Sequence, residues 1–378
     1  MRVLCFLRKS YERDLLTGFK CQREIHFKYF MKISTIIILY NLEKYIDDAI
    51  QSVLGQTRQS DEIIVVDDCS TDGSSDIVAK YRDRVIHIKQ EENIGTLRNS
   101  LAGLKAATGD VVAFLDGDDV WMPKKLEAIE KEFLEDEEVV LVSHDFIEVD
   151  KNLQYVHDWN VSNETRLNTR RITKRYPKKE WSEKMRESIL LTKGFWLGSA
   201  YAVRKEAISL ETFEMVLAQQ PPPKLTYLQG HRWRDTLDNV LAPFIVASNA
   251  NFKVGFVNEV LFKHREHSNN SWNSTLSLEM VLHNAESWQS VHDTAYHLIA
   301  HFLTDKNIER RYTILHEEME LVKCQFTGKK LKAIGKFISV SPFLFKEKKI
   351  AREFARLLAI TFLGPESFIR WRIQRNSK

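Results

Sequence analysis

A chain of 378 residues with 43% hydrophobic and 28% charged side chains has the composition of an ordinary globular protein and can bury a full core, with room for about two domains. Its 55 basic against 52 acidic residues, a formal +3, are too evenly balanced to argue for nucleic acid. Cys5, Cys21, Cys69 and Cys324 stand far apart with no C-x-x-C pair, which suggests neither a disulfide framework nor a zinc knuckle and favours reducing cytosol.

Residues 1 to 30 mix Arg, Lys and Glu with short apolar bursts and hold neither the apolar core nor the A-x-A-like site of a signal peptide. Met31 directly precedes the first clear strand, so 1–31 reads as an N-terminal extension with Met31 as the expected start. A basic helix touching membrane or a partner is the alternative. From Lys32 to Ser143, β-type runs alternate with helical patterns. Strands are predicted over Ile33 to Tyr40, Glu62 to Asp67, Val85 to Ile88, Asp110 to Asp116 and Val139 to Ser143. Helices are predicted from about Glu43 to Leu54, from Ser74 or Ser75, from Asn93-Ile-Gly95 to Ala107, and from Pro123 to Leu134. That alternation predicts an α/β fold with a mostly parallel, doubly wound sheet, whose first half is residues 32–145.

The rhythm breaks after Ser143, and 146–275 reads as a second half of the same domain. It includes a segment, 166 to 179, with seven Arg and Lys and no apolar face, expected to be a solvated loop. Residues 276–378 read as an α-helical C-terminal extension. Its longest apolar runs, such as Leu357 to Leu363, fall short of the ~20 residues that span a bilayer. Leu344, Phe345, Ile350, Phe354, Leu357 and Leu358, interleaved with Lys and Arg, suit either an interfacial helix on anionic lipid or packing onto the catalytic domain or a second subunit.

The densest chemical signal is Phe114-Leu-Asp-Gly-Asp-Asp119. Asp116, Asp118 and Asp119 converge where an apolar strand ends, and hard oxygen ligands crowded at such a point suit a divalent cation. The bland reading is a helix cap. Asp67-Asp68 ends the second strand in the same way, and in a parallel sheet both turns face the carboxyl edge, where ligands bind. The Asp68 to Asp76 stretch superficially has calcium-loop spacing, but Ala79 stands where the bidentate Glu belongs. No G-x-G-x-x-G follows the first strand and no G-x-x-x-x-G-K-[ST] occurs, so dinucleotide and P-loop readings lack support.

Tyr40-Asn41-x-Glu43, Ala49-Ile-x-Ser52-Val-Leu-x-Gln56-Thr57, Asp67-Asp68-x-Ser70-x-Asp72-Gly73, Asn93-x-Gly95 with Arg98-Asn99, and Leu115-Asp-Gly-Asp-Asp-Val-Trp121 together resemble family 2 glycosyltransferases of the GT-A fold. One departure is Ile38-Leu39, where that family often has Pro-Thr. The resemblance implies a nucleotide-sugar donor, a saccharide or lipid-linked saccharide acceptor, no nucleic acid, and inversion at the anomeric carbon. It implies Mn2+ or Mg2+ at the D-x-D pair Asp116 and Asp118, with Asp116 on ribose, Asp118 on metal and Asp119 in support. It further implies Tyr40, Glu43, Asp67 and Asp68 in the donor turns, with Asp67 toward the base, and Arg98 toward nucleotide or diphosphate.

Inversion needs a base opposite the leaving group. Asp238-Asn-Val-Leu241 resembles the family's D-x-x-L helix start, and Asp235 ranks second. Arg265-Glu-His267-Ser-Asn-Asn270 resembles the Arg-x-His-x-x-Asn element, which implies Arg265 near phosphate oxygens and His267 near the metal. Trp196, Gly198 and Ser199 lie where similar enzymes line the acceptor pocket. The expected setting is cytoplasmic, at the inner membrane face when peripheral, in bacterial surface polysaccharide synthesis with a UDP-sugar favoured. The alternatives are a sugar-1-phosphate nucleotidyltransferase, which would carry a Gly-rich phosphate loop after the first strand, and a silent scaffold, which would have no need of Asp116, Asp118 and Asp238.

Overall fold

Strand β1, Ile33–Leu39, holds four isoleucines in seven residues and is buried along nearly its whole length. Such a strand is stable only with apolar layers on both faces, and the computed structural model supplies them. The structure describes residues 31–156, 172, 175–191, 198–218, 240–267, 277–346 and 350–376. Met31–Lys378 forms one unit, while the other, Met1–Phe30 with the expected extension, lies outside the described residues.

On either side of β1 lie β2 (Glu62–Asp67) and β4 (Val111–Asp116), both parallel to it, and β3 (Ile86–Lys89) continues outward from β2. Side chains alternate across the sheet. Ile33, Ile37 and Leu39 enter one core with Ile46, Ile50 and Val53 of α1 (Ile46–Leu54) and Ile129 and Phe133 of α4 (Lys125–Glu135). Ile36 enters the other, with Leu97, Leu101 and Leu104 of α3 (Thr96–Ala106). The short α2 (Ser74–Ala79) links β2 to β3.

The α/β class, the mostly parallel sheet and the helical C-terminal region are as expected, and among the described strands four pairs are parallel and three antiparallel. The strand order is β3-β2-β1-β4-β7-β6-β8-β5. Beyond β4, the three-residue β7 (Ala202–Arg204) runs antiparallel to both β4 and β6 (Val139–Val149), and β8 (Lys253–Arg265) lies parallel to β6 and antiparallel to β5 (Val120–Trp121). No periodicity window could register a strand as short as β7. Strand β6 runs six residues past the predicted Ser143 end, so the expected 145/146 division falls inside it. Polar Ser143, His144 and Asp145 interrupt its apolar run, and register shifts beside His144 and Asp145 mark bulges there.

The second half of the sheet is covered by α5 (Trp181–Leu190), α6 (Leu210–Ala218) and α7 (Ala242–Ser248). Val291, Ala295 and Leu298 of α8 (Leu278–Ala300) and Tyr312 and Leu315 of α9 (Lys306–Phe326) join the same core. Helices α10 (Lys330–Lys346), α11 (Ile350–Leu363) and α12 (Pro365–Asn376) then pack through two smaller clusters around Val340, Leu344 and Leu357 and around Ile360, Phe368 and Ile369. Among the described residues no helix is long and apolar enough to cross a membrane.

Two helical glycines should respond oppositely to substitution. A Cβ on Gly103 would stand 2.6 Å from Ile36 Cγ2, a side chain with no room to retreat, so Gly103→Val should destabilise by about 1–3 kcal/mol. Gly335 in α10 has nothing within 4 Å of the same position, and Gly335→Ala should stabilise by about 0.5–1 kcal/mol. Urea unfolding measures both.

Candidate active site

The register sets the site. Leu39 pairs with Asp67 and Ile38 with Asp116, so both acidic strand ends reach the carboxyl edge beside β1. Because Ile38 and Leu39 point to opposite faces, Asp67 and Asp116 leave the sheet on opposite faces too. Asp67 turns toward α2: it accepts from Ser70 N at 2.8 Å and from Ser75 Oγ, and His87 Nε2 stands 3.6 Å away. Burial disfavours its charge, yet the bonds from His87, Ser70 and Ser75 prevail and hold its pKa well below the usual carboxylate range. Asp68 accepts from Ile94 N at 2.6 Å and Gly95 N at 3.0 Å, fixing the entry to α3. Gly95 has φ +86, a conformation that suits glycine.

The first two strand-end turns are stitched together. Asn41 N donates to Ser70 Oγ at 3.0 Å, Thr71 N to Asn41 Oδ1 at 2.8 Å, and Gly73 N to Glu43 Oε2 at 3.0 Å. Asn41 and Cys69 both have positive φ, 53° and 63°, a strained choice of backbone that clusters at ligand sites. Tyr40 is half-buried at the end of β1, and Arg98 is exposed in the first turn of α3.

The three aspartates of the β4 turn are separated by what they touch. Asp119 is buried. It accepts from Ser199 Oγ at 2.6 Å and Arg265 N at 3.0 Å, with His264 Nδ1 at 3.2 Å. It is therefore a hub that binds the turn to β8 and to the 3-10 turn Gly198–Ala200. Ser199 also receives Asp116 N at 3.0 Å, while its carbonyl accepts from Trp121 Nε1 at 3.2 Å and from Lys125 Nζ. The structure thus places Ser199 and its buried neighbour Gly198 beneath the acidic turn.

Asp118, partly exposed, stands 3.1 Å from His267 Nε2 through its Oδ2, and the His267 ring lies 4.5 Å from that of Tyr45. Arg265 is 2% exposed. Its guanidinium donates to Asp118 O, Lys151 O and Asp48 Oδ2, each at 2.8 Å, and lies 4.8 Å from the Tyr45 ring centre. Among its described contacts Arg265 is a buried strut that holds Asp118 by its backbone.

Lys125, His264, Tyr45 and Asp48 escaped the sequence reading. Lysine at a helix start ordinarily reads as solvated, yet Lys125 is fully buried, with its ammonium 3.8 Å from the Trp121 ring centre. Burial draws its pKa well below the lysine range, against the pull of Asp119 and Asp116. For His264, burial opposes protonation, but Asp119, with Asp118 and Asp116 behind it, outweighs that and raises the pKa to about 9. Adjacency to Arg265 was the one available signal for His264. Asp235, Asp238, Trp196 and Asn270 lie outside the described residues, as does most of the 166–179 segment.

Among the described residues no set of three or more His, Cys, Asp or Glu side chains is placed to hold a metal by itself. Asp118 and His267 do supply one carboxylate and one imidazole 3.1 Å apart. Adjacent ligands on an octahedral ion of Mg2+ size stand about 3 Å apart, and such ions take their remaining ligands from water and substrate phosphates. The pair fits a divalent cation shared with a diphosphate.

Residues 34–205 match the model of Glycosyl transferase family 2. They belong to that family. Curated proteins similar to this chain include an uncharacterized glycosyltransferase of Nostoc sp., 46% identical over 126 residues, which are 32% of this chain and 38% of that protein. The Bacillus subtilis putative teichuronic acid biosynthesis glycosyltransferase TuaG is 46% identical over 98 residues, 25% of this chain and 39% of that protein. The Escherichia coli UDP-Glc:alpha-D-GlcNAc-diphosphoundecaprenol beta-1,3-glucosyltransferase WfaP is 39% identical over 120 residues, 31% of this chain and 47% of that protein. The match spans less than half the length of each of these three relatives. Among solved structures, S. aureus TarS 1-349 in complex with UDP is similar over 84% of this chain and 92% of its own, at 16% identity and a TM-score of 0.46.

At this site, Arg265 is the residue most open to a test of architecture. Arg265→Lys cannot reach the acceptors at Asp118, Lys151 and Asp48 together. It should cost about 2–4 kcal/mol of stability, measured by denaturant unfolding, where a loss under about 0.5 kcal/mol would remove the strut assignment.

Proposed function

We propose that this chain moves a sugar from a nucleotide-diphosphate sugar, a UDP-sugar in the first instance, to a hydroxyl of a saccharide or lipid-linked saccharide, with inversion. The setting is bacterial surface polysaccharide synthesis at the cytoplasmic side of the membrane, with peripheral contact. The observation that carries this is the Asp118–His267 pair, which brings together residues 149 apart at the carboxyl edge of a sheet whose residues 34–205 match the family. The names of WfaP and TuaG support the reading, the first with UDP-Glc and a diphosphoundecaprenol acceptor, the second with teichuronic acid.

In this proposal Asp118 and His267, with Asp116 beside them, hold Mn2+ or Mg2+, which when bound supplies Lewis-acid charge at the donor diphosphate. Asp116 takes the ribose, Asp67 and Asp68 shape the turn toward the base, and Tyr40 and Glu43 form the facing turn. Arg98 faces nucleotide or diphosphate. Asp119 keeps Asp118 outward, and Arg265, which holds Asp118 from behind, stands toward the phosphate oxygens. Trp196 stacks against the acceptor, while Gly198 and Ser199 form the floor between acceptor and donor.

The transfer itself is a displacement. The acceptor hydroxyl gives its proton to the carboxylate of Asp238, with Asp235 as the second candidate. The acceptor oxygen bonds the anomeric carbon from the face opposite the leaving group, and the bond from that carbon to the diphosphate oxygen breaks, its electron pair staying on phosphate.

With UDP-, dTDP- and GDP-sugars offered in turn, Asp238→Asn should abolish transfer while calorimetry shows donor binding within about threefold of wild type, as expected for a group that acts on the transition state alone. Retained turnover would move the base to Asp235 or beyond it.

A further inference from the structure

Helix α10 is apolar on two opposite sides. Ala333, Val340 and Leu344 form its inner face and are buried against Leu321, Cys324 and Leu357. Leu331, Ile334, Ile338 and Phe345 fall on one outer stripe at offsets of three, seven and fourteen residues, the spacing of a single helical face. All four are exposed, Leu331 at 87%. Helix α11 repeats the design, with Leu357 and Ile360 inward and Phe354, Leu358 and Phe362 outward at four-residue steps, Phe362 at 83% exposure. The rings of Phe337 and Phe354, 5.7 Å apart, join the two helices. Ordinary surface helices carry one apolar face, and a second one marks a surface that is covered in use.

Charge identifies the cover. From Lys329 to Lys378 there are thirteen Lys and Arg against three Glu, a net +10. Since the whole chain is only +3, the other 328 residues sum to −7. A second copy would bring +10 against +10, and residues 1 to 30, with seven basic against three acidic side chains, are repelled as well. Aromatic and aliphatic side chains set among basic ones suit the headgroup region of an anionic bilayer, where each Lys or Arg near the surface adds to the attraction.

We infer that the outer face of α10 and α11 docks on an anionic lipid surface, with Leu331, Ile338, Phe345, Phe354 and Phe362 entering the interface and the basic surplus of the segment attracted to lipid phosphates. This names the surface behind the peripheral placement proposed above but rests on helix geometry and charge alone, so its failure would leave the sugar-transfer reading standing. A lipid-linked acceptor would be met at the same plane.

The test uses the full chain and needs neither donor nor acceptor. In sedimentation with vesicles, wild type should bind phosphatidylcholine containing about 30 per cent phosphatidylglycerol, bind pure phosphatidylcholine far less, and weaken as salt shortens the Debye length. Leu331→Glu and Phe362→Glu should each reduce binding at least about tenfold, with circular dichroism and melting unchanged because both sites are exposed. Three results would overturn the inference: no binding to anionic vesicles, equal binding by both variants, or a dimer in light scattering that these substitutions dissociate without any vesicle binding.

Discussion

The buried carboxylate of Asp119 is the constraint on which the rest of the site depends. Its two oxygens engage Ser199, His264 and the backbone of Arg265, residues 80 to 146 positions away. A charge out of water is tolerated only when its hydrogen bonds are met, and here meeting them closes the β4 turn against the end of β8. The parallel half of the sheet is thereby fastened to the mixed half. Asp118, next in sequence but pointing the other way, is left at the surface opposite His267.

Around that hub the charges are layered. Lys125 lies beneath it, packed on Trp121 and bonded to the Ser199 carbonyl. His264 and Arg265 flank it, and Arg265 reaches on to Asp48 and Tyr45 at the start of α1. The β4 turn and the end of β8 are thus tied by side chains to fixed backbone, the preorganised kind of frame that electrostatic catalysis requires. The Asp67 turn serves differently. It carries the same residue type but looks to the other face of the sheet, toward Ser75 and His87.

What was legible in the sequence follows the reach of local signals. Strands β1, β2 and β4 are largely apolar, buried runs, acidic turns stand at the ends of β2 and β4, and the family resemblance was carried by those same segments. The mixed half was legible only at the start of β6, because β7 is three residues long and β6 is interrupted by Ser143, His144 and Asp145. Nor could a sequence window show that Lys125 is buried or that Arg265 is a strut: both depend on pairings across 74 to 147 residues. In α10 and α11 the apolar residues were visible, while the division into an inner and an outer face needed the packed helices. Asp238, read from a short local pattern, lies outside the described residues.

The central claim is that Asp118 and His267 hold a divalent ion together with the donor diphosphate. An electron paramagnetic resonance titration of Mn2+ in the presence of UDP, or of whichever nucleoside diphosphate binds, tests it most directly. The account predicts that wild type removes the free Mn2+ signal far more strongly with the nucleotide than without it, and that Asp118→Asn and His267→Ala each weaken uptake at least about tenfold. Mn2+ uptake that ignores the nucleotide, or that survives both substitutions, would contradict it.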